Sequence, residues 1–218
     1  MSKYPESLNW NFPDKDINGE IVKREDIKYD LDGITYCTAK QYAKMIVNDI
    51  EWYKRINKIN LRNIIDLTGG LGADLIAKAL YGHFNKIIGI ELDKNRYKLL
   101  EENLYLFKVN DKIKIYNDDS VKYIQTNPLN NFIYYIDPPF GGKEYINKEV
   151  IYPKDLKMGD TNIVQLCDMI LKNSNVLIVM KLPFNTDIKT LLMECQKYDK
   201  CYSYYLYKKI IIVILYKK

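Results

Sequence analysis

Histidine is nearly absent from the chain: His83 is the only one in 218 residues. The four cysteines, Cys37, Cys167, Cys195 and Cys201, include no close pair of the kind that clamps zinc. Together these scarcities argue against a structural zinc site, and no metal is expected. The thiols read as free groups, buried or partly buried, in a reducing compartment. Long apolar runs are missing as well. The strongest, Ile210 to Leu215, is far shorter than the ~20 residues of a membrane-spanning helix. The opening Met1-Ser2-Lys3-Tyr4-Pro5-Glu6-Ser7 has no apolar signal core. The expectation is a cytoplasmic or nuclear protein with no membrane partner. No internal repeat or low-complexity linker divides the chain.

What is present suits one large domain with a real core: 47% apolar and 28% charged residues. Tyrosine is abundant, at 20 residues, and Ile, Lys and Asn are frequent. This is a bias of composition, so a single Tyr or Lys carries little functional weight. The formal net charge of +5 suits a nucleic-acid partner, but an acidic small molecule or plain solubility explains it equally well.

Residues 1–30 are polar and poorly periodic, with one aromatic concentration at Asn9-Trp10-Asn11-Phe12-Pro13. Residues 1–37 read as an N-terminal extension, a loose arm or a lid, and 38–218 as the main domain. Apolar positions at three- and four-residue spacing predict a helix over Thr38 to Ile56, with Thr38 as its N-cap. From Asn63 to Lys197 strands and helices alternate. Strands are predicted at Asn63–Leu67, Lys86–Ile90, Lys112–Tyr116, Phe132–Ile136 and Val176–Met180. Helices are predicted at Ala73–Tyr81, Asn95–Phe107, Val121–Gln125, Thr161–Lys172 and Asp187–Lys197, and residues 143–159 as an irregular loop. Such alternation predicts an α/β fold, a mostly parallel sheet with helices on both faces. Two last strands, Cys201–Leu206 and Lys209–Tyr216, have no helix between them, so they should pair as an antiparallel hairpin and bring the sheet to seven strands. The Ile210-Ile211-Ile212 run suits a strand buried on both faces.

The turn Thr68-Gly69-Gly70-Leu71-Gly72 follows the first strand and opens a helix. Gly70 and Gly72 permit a tight turn and close approach of a ligand to the backbone. Glu91 closes the next strand, 19 residues after Gly72, where its carboxylate can accept from a ribose diol. No Lys-Ser/Thr pair follows the glycines, so this is not a phosphate-clamping loop. The turn suits S-adenosylmethionine better than a dinucleotide. Asp66 stands where it could position the methionine ammonium, directly or through water. Asp119, after the third strand, could accept from the adenine amino group, or could equally cap the short helix behind it.

Asp137-Pro138-Pro139-Phe140 is the most informative tetrapeptide. It lies just beyond the fourth strand, at the edge where such sheets bind ligands. An exocyclic base amine is a poor nucleophile because its lone pair is delocalised into the ring. The Asp137 carboxylate and the Pro138 carbonyl offer two acceptors to hold and polarise it, and proline restricts the chain beforehand. Phe140 would stack on the base.

These residues carry the signature of the Rossmann-like class I amino-methyltransferases. More narrowly, from about Ile27 to the C-terminus, the chain resembles the trimethylguanosine synthase family, which methylates the exocyclic N2 of the 7-methylguanosine cap of RNA. The resemblance rests on Asp30 to Thr38, on Asp66 with Gly70 and Gly72, on Asn103 to Phe107, on Asp137 to Tyr145 and on Leu182-Pro183-Phe184-Asn185. The Gly141-Gly142-Lys143-Glu144-Tyr145 extension narrows it beyond amine chemistry. The sequence departs from the family's usual Trp at Phe140, Ser at Asp137 and Arg at Phe184.

The resemblance implies S-adenosylmethionine as cofactor, with Asp66, Thr68, Gly70, Gly72, Glu91 and Asp119 binding it. Asp137, Pro138 and Phe140 would be catalytic, and Phe140, Lys143, Tyr145, Asn185, Lys28 and Trp10 would meet the substrate, 7-methylguanosine-capped RNA or a cap analogue. Lys28, Lys143, Lys148 and Lys181 are candidates for the cap triphosphate. A monomer is expected. An adenine-N6 methyltransferase of RNA or DNA is the first alternative, because Asp137 is more typical there. A non-enzymatic RNA-binding protein on the same fold is the second. A dehydrogenase leaves the proline turn unexplained.

Overall fold

The computed structural model describes residues 4–140, 142–206 and 209–218, the side chains of residues 142–144 excepted. The Lys143 side chain, expected at the substrate, lies outside the described residues. The chain divides into two compact units, 1–118 and 119–218.

The first unit holds α1 (Ser7–Asn11), α2 (Leu31–Tyr36), α3 (Lys40–Ile56), β1 (Asn63–Asp66), α4 (Ala73–Tyr81), β2 (Lys86–Glu91), α5 (Lys94–Leu106) and β3 (Ile113–Asn117). β1 pairs with β2 and β2 with β3, both in parallel. Parallel neighbours need crossover connections, and α4 and α5 supply them. Ile64, Ile65, Ile87, Ile88 and Ile90 are buried, as in strands covered on both faces. Along α3 the buried Ala43, Ile46, Val47, Ile50 and Tyr53 form the expected stripe. Ala43 and Val47 cluster with Ala77 of α4, and Tyr81 and Phe84 pack against them.

Two expectations for this unit change. Thr38 does not cap α3, whose cap position is Ala39, without a side-chain cap bond. The Thr38 hydroxyl donates instead to Asp74 Oδ2 at 2.6 Å, in the first turn of α4. Nor is the arm loose. Leu8 and Phe12 are fully buried, and Phe12 stacks on Phe107 with centroids 5.9 Å apart. Asn11 Nδ2 donates to the Ile34 carbonyl at 3.0 Å, and Lys108 pairs with Asp16 at 2.9 Å. A few anchors in a short segment give no periodicity, so the sequence pattern does not reveal this packing.

The second unit holds α6 (Ser120–Thr126), β4 (Ile133–Ile136), β5 (Lys157–Met158), β6 (Thr161–Asn162), α7 (Ile163–Ile170), β7 (Val176–Pro183), α8 (Ile188–Glu194), β8 (Lys200–Leu206) and β9 (Ile210–Lys217). β4 and β7 pair in parallel, while β9 runs antiparallel to both β7 and β8. The segment expected to be irregular contains 3-10 turns at Gly142–Asn147 and Pro153–Asp155 and enters the small β5–β6 hairpin. α7 starts at Ile163 rather than Thr161, because Asn162 and Gln165 form a reciprocal capping box. The longer strands run in the order β3-β2-β1 in the first unit and β4-β7-β9-β8 in the second. The fold is that of a mostly parallel, seven-stranded Rossmann-like sheet flanked by helices on both faces.

Candidate active site

In the first unit the candidate residues gather at the carboxyl ends of β1 and β2. Gly70 (φ +54) and Gly72 (φ +95) are left-handed, a conformation open to glycine and costly for other residues. Their surroundings differ. A Cβ on Gly72 would lie 2.7 Å from Leu100 Cδ1, whereas one on Gly70 would meet only Thr68 O, at 3.9 Å. Gly72 therefore lets the turn pack on α5, and Gly70 faces open space.

Glu91 is buried at the end of β2. Its Oε2 accepts from the Gly70 N–H at 2.7 Å and its Oε1 from the Asp93 N–H at 2.9 Å. The carboxylate thus clamps the glycine turn, a role that spacing alone does not disclose. Each carboxylate oxygen can accept a second bond, so the clamp and a ribose contact are compatible. Burial pushes the Glu91 carboxyl above the usual range, against the two backbone donors.

Asp66 has no exposed side-chain surface, and its carboxylate is turned to partners within the protein. Lys78 Nζ, itself 2% exposed, lies 2.7 Å from Asp66 Oδ2. Oδ1 accepts from the Thr68 N–H at 3.0 Å and its hydroxyl at 3.3 Å. Burial raises the Asp66 carboxyl despite the ammonium beside it. Asp66 therefore anchors the start of the turn, and Thr68 is held by it. Lys78 is absent from the predicted site. Its signal is a lysine within the buried run Leu75, Ile76, Ala77 and Ala79 of α4.

Further residues brace this half. Asn103, fully buried on α5, donates to the Leu71 and Lys28 carbonyls, both at 2.9 Å, and accepts from the Lys28 N–H at 2.8 Å. Asp30 caps α2 and takes two bonds from Arg96, at 3.0 and 3.1 Å. The segment before α3 is thus tied to the glycine turn through Lys28, whose side chain is exposed. Trp10 is exposed on α1.

In the second unit Asp119 caps α6, accepting from the Val121 and Lys122 N–H groups at 2.8 and 3.3 Å. Asp137 follows β4 and forms an ion pair with Lys181 of β7. That pairing removes Lys181 from the candidates for a triphosphate. Pro138 is buried, Pro139 exposed and Phe140 half-buried. Tyr145 meets Phe140 edge-on, with centroids 5.6 Å apart at 75°, a favoured aromatic geometry. Asn185 Nδ2 donates to the Tyr145 and Lys148 carbonyls at 3.0 and 2.6 Å, and the Asn185 carbonyl accepts from the Ile151 N–H at 2.9 Å. Asn185 therefore fixes the loop that carries Tyr145.

Among the described residues no helix is long and apolar enough to cross a membrane, and no group of three or more His, Cys, Asp or Glu could hold a metal ion. The chain is 27% identical over 198 residues to protein L320 of Acanthamoeba polyphaga mimivirus, covering 82% of this chain and 72% of that one. It is 28% identical over 137 residues to ribosomal RNA small subunit methyltransferase J of Francisella philomiragia, covering 57% of this chain and 56% of that one. A solved S-adenosylmethionine-dependent O-methyltransferase from Thermotoga maritima shares the fold, with a TM-score of 0.54 at 13% identity over 78% of this chain and 64% of that one. A family model described as RNA cap guanine-N2 methyltransferase matches residues 61–214. The chain belongs to that family, whose reaction moves a methyl group from S-adenosylmethionine to guanine N2 of an RNA cap.

Proposed function

We propose that the acceptor is a 7-methylguanosine cap and that the Asp137–Phe140 turn holds its base. The observation that carries this reading is a strand end where a carboxylate, paired with a buried lysine, is followed by a buried proline and a half-buried aromatic ring. Phe140 stacks on the flat base, a contact worth ~1–3 kcal/mol, and a cationic 7-methylguanine gains further from the ring quadrupole. Tyr145 steadies Phe140 from its edge. The Asp137 carboxylate and the Pro138 carbonyl accept from the N2 amine and favour its pyramidal form. Lys28, Lys143 and Lys148 are the basic partners proposed for the triphosphate, and Trp10 for the outer face of the base.

The donor half is the glycine turn with Glu91. The residues there fit S-adenosylmethionine: the open side of Gly70 admits a ligand, and Glu91 retains acceptor capacity for ribose hydroxyls. Asp119, which caps α6, is also the acceptor proposed for the adenine amine. When bound, this cofactor supplies an electrophilic sulfonium methyl. The Asp137 carboxylate and the Pro138 carbonyl would keep the N2 lone pair directed at that methyl while the amine gives up its proton. The protein contributes alignment and fixed acceptors.

Mass spectrometry of a 7-methylguanosine-capped dinucleotide incubated with enzyme and S-adenosylmethionine tests this. The expected product carries the new methyl on guanine N2, while an uncapped dinucleotide is unchanged. Methylation of adenine N6 instead, or of internal bases alone, overturns the cap reading.

A further inference from the structure

The Asp137–Lys181 pair has a consequence beyond removing one phosphate contact. The parallel register ends at Ile136↔Met180, so the next residues of the two strands, Asp137 and Lys181, stand side by side. Their side chains are 17% and 7% exposed. Lys181 is the one charged residue of β7, whose eight residues, Val-Leu-Ile-Val-Met-Lys-Leu-Pro, are all buried. Folding alone gives little reason for a lysine there. Taking an ammonium out of water is costly, and apolar residues often replace a buried ion pair with no loss of stability. The pair stands instead at the turn where the acceptor base is read to bind.

We propose that Lys181 is a positioning residue for methyl transfer, holding Asp137 as a charged, aimed acceptor for the target amine. The inference rests on the reading of Asp137 above. The chemistry needs an acceptor with a fixed direction, because the amine must present its lone pair to the methyl carbon while its N–H bonds point to protein oxygens. A carboxylate fixed through one oxygen by an ammonium keeps the remaining acceptor directions in place. Without that ammonium the carboxyl can rotate, or take a proton and offer a donor where an acceptor is required. The pair is neutral overall, so Lys181 acts through geometry and through the charge state of Asp137, not by attracting the substrate.

The test is steady-state methyl transfer to a capped dinucleotide by Lys181→Met, Lys181→Arg, Asp137→Asn and the Asp137→Asn/Lys181→Met double variant, with melting curves as a fold control. Lys181→Gln replaces Lys181→Met if the latter does not fold. The expected result is a kcat lowered by about tenfold or more in Lys181→Met, an S-adenosylmethionine KM within about twofold of the parent, and substantial recovery in Lys181→Arg. In the Asp137→Asn background the Lys181 change has no further effect, since a residue acting through Asp137 has nothing left to position. Full activity in Lys181→Met, or the same loss in both backgrounds, overturns the proposal. Full activity in Asp137→Asn overturns instead the reading of Asp137 on which it rests, so the two failures are distinguishable.

Discussion

Replacing Lys78 by methionine should expose the energetics of the glycine turn most directly. The substitution keeps an unbranched side chain on the buried face of α4 and removes only the ammonium, 2.7 Å from a fully buried Asp66 oxygen. Losing one partner of a buried pair costs about 3–5 kcal/mol, a large part of the ~5–15 kcal/mol that holds a typical domain together. The deficit should depend on pH. Burial already holds the Asp66 carboxyl above its unfolded value with Lys78 in place, and removing the positive charge raises it further. Between the unfolded and folded values, the native chain retains a proton that the unfolded chain has released. Stability therefore falls as pH rises through that window, by about 1.4 kcal/mol per pH unit for one proton. Urea unfolding followed by circular dichroism, at about pH 5 and about pH 8, should show the Lys78→Met deficit larger at the higher pH. The Lys78→Met/Asp66→Asn double variant should recover much of it, because no charge is then left without its partner. A deficit below about 1 kcal/mol at the higher pH, or one equal at both, would refute the argument.

Three further outcomes are expected. Gly72→Ala should lose about 1–2 kcal/mol from its left-handed backbone and more from the contact with Leu100, whereas Gly70→Ala should lose only the backbone part yet weaken S-adenosylmethionine binding by about tenfold or more. Melting curves and calorimetric titration separate the two. Glu91→Gln should weaken cofactor binding by a similar factor. In the parent, affinity should fall as pH is lowered through the raised value of Glu91, because the protonated acid loses acceptor capacity, and the variant should lack that slope in the same titration. Phe140→Ala should weaken 7-methyl-GTP binding by about 5- to 150-fold, the equivalent of ~1–3 kcal/mol of stacking, while cofactor affinity, measured in parallel, stays unchanged.

Most of the sheet is legible in the sequence because its strands are short apolar runs closed by punctuation that has a physical cause. Asp66 precedes a glycine turn and Asp137 a pair of prolines, and each marks the point where a strand hands over to a loop. The Ile210-Ile211-Ile212 run reads as a fully buried strand because no polar residue interrupts it, and it is one. α2 is hidden for the opposite reason. With Gly33 inside and Ile34 as its one buried apolar side chain, it shows no stripe. What stabilises it is the Asp30 cap and the Arg96 pair, 66 residues away in the chain. Thr38 misleads because a hydroxyl before a helical run is a good local cap, and a tertiary partner, Asp74, takes it.

The two strand-end acids show where local reading stops. Asp66 and Asp137 are visible as carboxylates after short apolar strands, and each invites assignment to a ligand. The structure gives each a lysine, 12 and 44 residues further along the chain, from an element whose other residues are mostly apolar. Burial then separates them. The Asp66–Lys78 pair has almost no exposed surface, so it acts on the turn above it, whereas Asp137 keeps 17% of its side chain exposed and can still meet a substrate. The same two residue types thus serve as a scaffold on β1 and, in the proposal made above, as an aimed acceptor after β4. A lysine embedded in a buried run is the sequence signal that such a pair exists. The exposure of its acid, which only the fold sets, determines which of the two uses it has.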